Sequence, residues 1–248
     1  MSGGARDFWD YLRQKTPARI ALGRAGDGLP TKRVLEFEFA HARAKDAVRA
    51  SLDQRAMMEG LAAWHPILVR SAAADRVTFL QRPDLGRRLA PDSAALIARG
   101  KYDATVIIAD GLSAGAVAAQ AVPLCKMLFM APGIGFAPPV IALQARVALG
   151  DEIAARQGAA FAAVLIGERP GLSSSDSLGA YLTFDPKPGR TKDSDRNCVS
   201  NIRPGGLSLE EGARRILAIL ALARIIGSTG TRLKEDEALA RLARPGKG

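Results

Sequence analysis

Two short apolar runs stand out along the chain, 104–109 (ATVIIA) and 162–166 (AAVLI). Turn chemistry stops each at once: Asp110-Gly111 after the first, Gly167-Glu168-Arg169-Pro170-Gly171 after the second. A continuous apolar run of this length is the pattern of a strand buried on both faces, whereas a half-exposed strand alternates. Weaker runs at 128–130, 140–143 and 180–184 add further strand expectations. Between the runs the period changes. Small helix formers extend to Ala121, and 151–157 reads as a helix. Ser208-Leu209-Glu210-Glu211 has capping-box spacing and opens a helix to about Ile226, with Gly227 as its stop. Short buried strands alternating with helices predict a mostly parallel sheet covered on both faces. The expectation is a Rossmann-like, doubly wound α/β domain over 101–248.

Residues 1–100 predict a helical, loop-rich N-terminal region. A short amphipathic helix spans 7–15, and a Gly-rich loop occupies 23–30. Thr31 is then read as the cap of a long helix with Val34, Phe37, Phe39, Ala42, Ala44 and Val48 loosely at helical spacing. A loop at 81–88 precedes another helix, read as capped by Asp92. There is no internal repeat and no low-complexity segment.

The longest apolar stretch, 127–143, is interrupted by Pro132, Pro138, Pro139, Gly133 and Gly135, which a spanning helix of ~20 residues would not tolerate. The first fifteen residues mix Asp7, Asp10, Arg13 and Lys15 with aromatics, unlike a secretory signal. With two cysteines in the whole chain, a reducing, intracellular compartment is expected. Lys and Arg exceed Asp and Glu by 35 to 25, a net charge of +10. The excess is spread evenly, 18 against 13 in 1–110 and 17 against 12 in 111–248, so no basic arm exists. Aromatic residues do not interleave with the basic ones as a stacking platform would require. No nucleic acid is expected as the main partner; an acidic protein or a polyanionic ligand accounts for the charge equally well.

Two cysteines 73 positions apart, without CxxC, exclude a disulfide framework and a Cys-rich zinc module. Two histidines without HExxH leave little for a metal site. Ligands of open α/β sheets lie beyond the strand carboxyl ends, which singles out three segments read as loops: 110–114, 167–173 and 196–206. Glu168 offers a hydrogen-bond acceptor between two glycines, or else is a solvated carboxylate paired with Arg169. Cys198 sits in a polar stretch, as a small residue filling a turn; a nucleophilic Cys would want a His base. His41 and His65 lie in the other half and read as packing residues. Nucleotide fingerprints fail: Asp110-Gly111-Leu112-Ser113-Ala114-Gly115 is not GxGxxG, and no GxxxxGK[ST] occurs.

At these segments the chain resembles the small (light) subunits of ethanolamine ammonia-lyase. The segments are Thr16-Pro17-Ala18-Arg19-Ile20, Gly23-Arg24-Ala25-Gly26, the stretch 82–89 (RPDLGRRL), Asp110-Gly111-Leu112-Ser113, Gly167-Glu168-Arg169-Pro170-Gly171-Leu172, Asp176-Ser177-Leu178 and 195–202 (DRNCVSNI). They cover residues 8 to about 235 in order. The resemblance implies a heteromer in which a TIM-barrel large subunit holds ethanolamine and converts it to acetaldehyde and ammonia. Adenosylcobalamin lies between the subunits and supplies the radical by Co–C homolysis. This chain's part is binding and orientation, with no catalytic residue of its own. The resemblance also implies cofactor contacts at Val147, Glu168 and Cys198. No Asp-x-His-x-x-Gly is present, so the cofactor is expected to keep its own dimethylbenzimidazole on cobalt. The N-terminal extension that some members use for packaging into a bacterial microcompartment is not seen ahead of the matching region, which makes the cytoplasm the expected location and a microcompartment the weaker option. The competing reading is a free-standing α/β module for a nucleotide or polyanion.

Overall fold

A computed structural model of the chain describes residues 8–16 and 18–242. In chain order come helices α1 (Phe8–Lys15), α2 (Thr31–Arg49) and α3 (Gln54–Gly60), strand β1 (Ile67–Arg70), and helices α4 (Arg76–Gln81) and α5 (Pro91–Ala94). Strand β2 (Tyr102–Ala109), helix α6 (Ala114–Phe129), strand β3 (Val140–Leu143) and helix α7 (Leu149–Gln157) follow. Strands β4 (Ala159–Gly167), β5 (Leu178–Phe184) and β6 (Asn197–Ile202) and helices α8 (Leu209–Ile226) and α9 (Glu235–Leu242) complete the chain. Asp7, the expected first residue of α1, lies outside the described residues.

All six strands join one sheet in the order β1-β3-β2-β4-β5-β6. The first four pair in parallel, and β5 and β6 extend the sheet antiparallel. The α/β class expected from the runs at 104–109 and 162–166 is the one observed. Both runs form central strands because neither face is wet. Val106 and Ile108 pack under α6 and α8, while Ile107 and Val164 pack under α7. Each such side chain contributes about 1.5–3 kcal/mol on burial. The Ser208 hydroxyl accepts from Glu211 N–H at 3.2 Å and opens α8, and Gly227 closes it in the left-handed region at φ 67°. Only half of the expected capping box forms, because the Glu211 carboxylate is taken by Arg214 and Arg215.

Several expectations need correction. The run 128–130 is no strand: Leu128 and Phe129 finish α6, and Leu128 is buried as a helix residue despite Pro123 upstream. Thr31 is the first helical residue of α2, and Pro30 holds the cap without a side-chain bond. Asp92 lies inside α5, behind an Ala90 cap, and its carboxylate takes Arg70. The segment 196–206 is mostly strand β6 rather than loop. Strand β1 falls in the half read as helical and pairs with β3 at the sheet's edge. No described helix is long and apolar enough to cross a membrane.

Candidate ligand site at the switch point of the sheet

Strand order reverses around β2, which has β3 on one side and β4 on the other. The connections run through α6 on one face and α7 on the other. Such a switch point leaves a crevice at the strand carboxyl ends. There the turns after β2 and β4 meet closely: Leu112 N–H donates to Gly167 O at 2.9 Å. Gly111 has φ 55°, and a Cβ on Gly167 would stand 2.1 Å from Ser113 O, so both positions require glycine.

Asp110, at the end of β2, shapes the next turn. Its carboxylate accepts Gln144 N–H at 3.0 Å and Ala145 N–H at 3.1 Å, with Arg76 Nη1 3.6 Å away. Burial pushes this carboxyl up, and the two N–H donors and Arg76 counter the shift in part. These bonds hold the β3–α7 turn, in which Gln144 is left-handed at φ 53°. The turn delivers Arg146 and Val147 to the crevice.

The β4–β5 loop is tied down just as firmly. Ser113 Oγ donates to Ser175 O at 2.8 Å, and Gln120 Nε2 donates to Asp176 O at 2.7 Å. Glu168 N–H donates to Ser177 O at 3.0 Å, and Ser177 Oγ donates to the Glu168 carboxylate. A bulge completes the arrangement. The β5–β6 register slips between Leu178/Ile202 and Ala180/Val199, and Asn201 takes φ 61°. Asn201 N–H then donates to Glu168 Oε2 at 3.3 Å. Glu168 is therefore a half-buried carboxylate held by Ser177 and Asn201, not a solvated partner of Arg169.

On the α7 side, β5 and β6 present Tyr181 and Cys198, paired across the ladder. This uncovered face floors a cleft of about 830 Å3 walled by Leu80, Pro83, Arg87, Arg146, Val147 and Arg169. A second cavity of about 480 Å3 adjoins it, sharing Arg146, Val147, Arg169 and Tyr181 and reaching Glu168 and Gly111. The three residues singled out in the sequence thus come together: Val147 belongs to both cavities, Cys198 to the first and Glu168 to the second. Partial desolvation pushes the Cys198 thiol up to about 11, although the residue still reaches solvent, and burial raises Tyr181 to about 12. Such a thiol stays protonated at neutral pH and is a poor nucleophile. Neither histidine borders these cavities. Both are exposed rather than packed in the core: His41 stacks on Phe37, and His65 occupies a left-handed turn. Among the described residues, no group of three or more His, Cys, Asp or Glu side chains gathers as a metal site.

Three contributors went unrecognised in the sequence. Arg146 stacks its guanidinium on Phe79 at 4.1 Å and lines both cavities. Arg196 and Asp151 form a buried bidentate pair at the cleft's base, 2.7 Å on each arm, with Thr183 Oγ1 2.8 Å from Arg196 Nη1. An arginine next to an Asn-Cys strand carries no periodic signal, and its partner lies 45 positions away.

Fold and cleft define the class: an open, doubly wound α/β domain with a ligand-sized crevice at its switch point. Within that class the particular family is clear. The model of the ethanolamine ammonia-lyase light chain (EutC) matches residues 6–234. The chain is 47% identical to the ethanolamine ammonia-lyase small subunit of Azotobacter vinelandii, over 97% of this chain and 93% of the relative. It is 50% identical to the small subunit of Rhodococcus erythropolis and 52% identical to that of Rhodopseudomonas palustris, in each case over 92% of this chain and 90% of the relative. The chain belongs to the ethanolamine ammonia-lyase small-subunit family, a component of a lyase.

Proposed function

We propose that the crevice seats adenosylcobalamin against a large subunit that carries ethanolamine and the acid/base groups of its deamination. The observation that carries this reading is convergence: Val147, Glu168 and Cys198 come from three separated segments and border two adjoining cavities. The chemistry of the lining suits the group. A corrin is a broad ring edged with amides, and the cleft combines apolar edges at Leu80, Pro83 and Val147 with a carboxylate acceptor at Glu168. The cofactor supplies a cleavable Co–C bond and so the radical chemistry. This chain's residues bind and orient: Val147 packs, Glu168 accepts from an amide or hydroxyl, and Cys198 lets the ligand approach the β5–β6 face. With both histidines remote and the Cys198 thiol protonated, no imidazole or thiolate among the described residues stands at the crevice to activate a nucleophile. On this reading the protein works in the cytoplasm.

Alkylation of Cys198 tests the seat directly. Cys125 is fully buried and Cys198 exposed, so labelling reports on the crevice. In the complex reconstituted with its large subunit, adenosylcobalamin is expected to slow modification of Cys198, followed by mass spectrometry of its peptide. The isolated chain is expected to turn over no ethanolamine. Undiminished labelling at saturating cofactor would remove the reading.

Two substitutions sharpen it. Glu168→Ala is expected to raise the half-saturating cofactor concentration about fivefold, the loss of one hydrogen bond at about 1 kcal/mol. Cys198→Ser is expected to keep most deamination activity and Cys198→Trp to lose it, because a small contact tolerates a hydroxyl but not an indole. A Ser variant that binds cofactor yet is inactive would give Cys198 a chemical role instead.

A further inference from the structure

Arg87, Arg146, Arg169 and Lys192 line the first cleft. None of the four forms an ion pair with any described carboxylate, although thirteen other basic side chains do. The cleft's single carboxylate side chain, Asp193, lies nearest Arg196, at 3.8 Å, and Arg196 already holds Asp151. Arg146 is placed with care despite this surplus of charge. Its backbone N–H donates to Gly86 O at 2.8 Å, its Nη2 donates to Phe79 O at 3.2 Å, and its Cζ sits 4.1 Å over the Phe79 ring. Arg76 approaches the same ring, at 4.8 Å. Arg146 Nε is buried without a hydrogen-bond partner. Burial and the neighbouring charges of Arg76, Arg87 and Arg169 all disfavour its charged form. A preorganised, like-charged cluster with an unpaired buried N–H lacks its counter-anion.

We propose that Arg87, Arg146 and Arg169 form a seat for a phosphate group carried by the ligand of this cleft. The inference rests on the cobalamin reading above and extends it: the corrin ring's amide side chains are neutral, and the anionic group of the cofactor's nucleotide loop is its phosphodiester. Guanidinium forks match phosphate oxygens in pairs, which a carboxamide cannot exploit.

Three corrinoids separate the phosphate from the rest of the cofactor: adenosylcobalamin, adenosylcobinamide phosphate, which lacks the ribose and base, and adenosylcobinamide, which lacks the phosphate as well. Binding is followed by the corrin absorption bands in the complex with the large subunit. The wild-type complex is expected to bind the two phosphate-bearing forms about tenfold more tightly than adenosylcobinamide. Arg146→Ala is expected to remove that preference, costing the phosphate-bearing forms about tenfold more than adenosylcobinamide. Arg169→Ala, at an exposed loop position that carries no fold contact, should reduce the preference in the same direction and guards against a folding defect in the Arg146 variant. Equal losses for all three corrinoids, or no loss, would overturn the seat. Wild-type complex that binds all three equally would overturn the seat alone; wild-type complex that binds none would overturn the cobalamin reading with it.

Discussion

Asp151→Ala is expected to destabilise the protein by about 3–5 kcal/mol, the cost of leaving a buried charge without its partner. Both side chains of the Arg196–Asp151 pair are 3% exposed. The guanidinium meets both carboxylate oxygens at 2.7 Å, so truncation removes two charge-assisted bonds at once. What remains for Arg196 is Thr183 Oγ1 and Asp193, an exposed carboxylate 3.8 Å away. The pair joins the first turn of α7, which packs on β2 and β4, to the residue that precedes β6, two strands further along the sheet. A double replacement, Asp151→Leu with Arg196→Met, is expected to recover most of the loss, since an apolar pair of similar volume is often as stable as a buried ion pair. Denaturant midpoints at constant slope measure both effects. A single variant within about 1 kcal/mol of wild type would mean that water reaches the pair.

The α/β class was legible because the strands that define it are the buried ones. Residues of β2 and β4 face packed helices on both sides, so their runs are unbroken and their stops sharp. The helix α8 was legible for a local reason, the Ser208 cap and the Gly227 stop. Edge strands left weaker traces. In β6 only Val199 and Ile202 are buried, and Asn197, Cys198, Ser200 and Asn201 read as loop chemistry. In β1 four residues follow a proline, too few to show a period. The run at 128–130 misled because α6 is apolar nearly all round, packed on the sheet beside α8, and a buried helix end looks like a buried strand.

The site divides in the same way. Glu168 announced itself by position, since the loop after a central strand is where an α/β domain meets its ligand. Its actual restraints, Ser177 and the bulged Asn201, are products of the β5–β6 register and could not be read from spacing. Helix α2 shows the opposite failure. Its apolar positions fall loosely at helical spacing, yet none of its nineteen residues is buried, and Phe37 and Phe39 are exposed. Periodicity reports which residues share a face, not whether that face is covered within the chain.

Gly167→Ala is expected to disturb both fold and site, because β4 ends in backbone contact with the β2–α6 turn. An added Cβ would stand 2.1 Å from Ser113 O, 2.6 Å from Ser113 C and 2.8 Å from Ser113 N, and backbone cannot swing aside as a flexible side chain can. Relief requires the two turns to part, which breaks the 2.9 Å bond from Leu112 N–H to Gly167 O. The expected loss is about 3 kcal/mol, the upper end of overpacking. Glu168 and Arg169 follow directly on the displaced residue, so under the proposed cobalamin seat cofactor affinity should fall about tenfold or more even where the protein remains folded. Gly115→Ala is the paired control: it lies two residues beyond Ser113, meets nothing within 4 Å, and sits in the first turn of α6. Alanine there should stabilise by about 0.5–1 kcal/mol and leave cofactor binding unchanged. If the two variants had equal stability and affinity, the close approach of Gly167 to Ser113 would have slack in solution, and the rigidity assigned to this end of the sheet would be wrong.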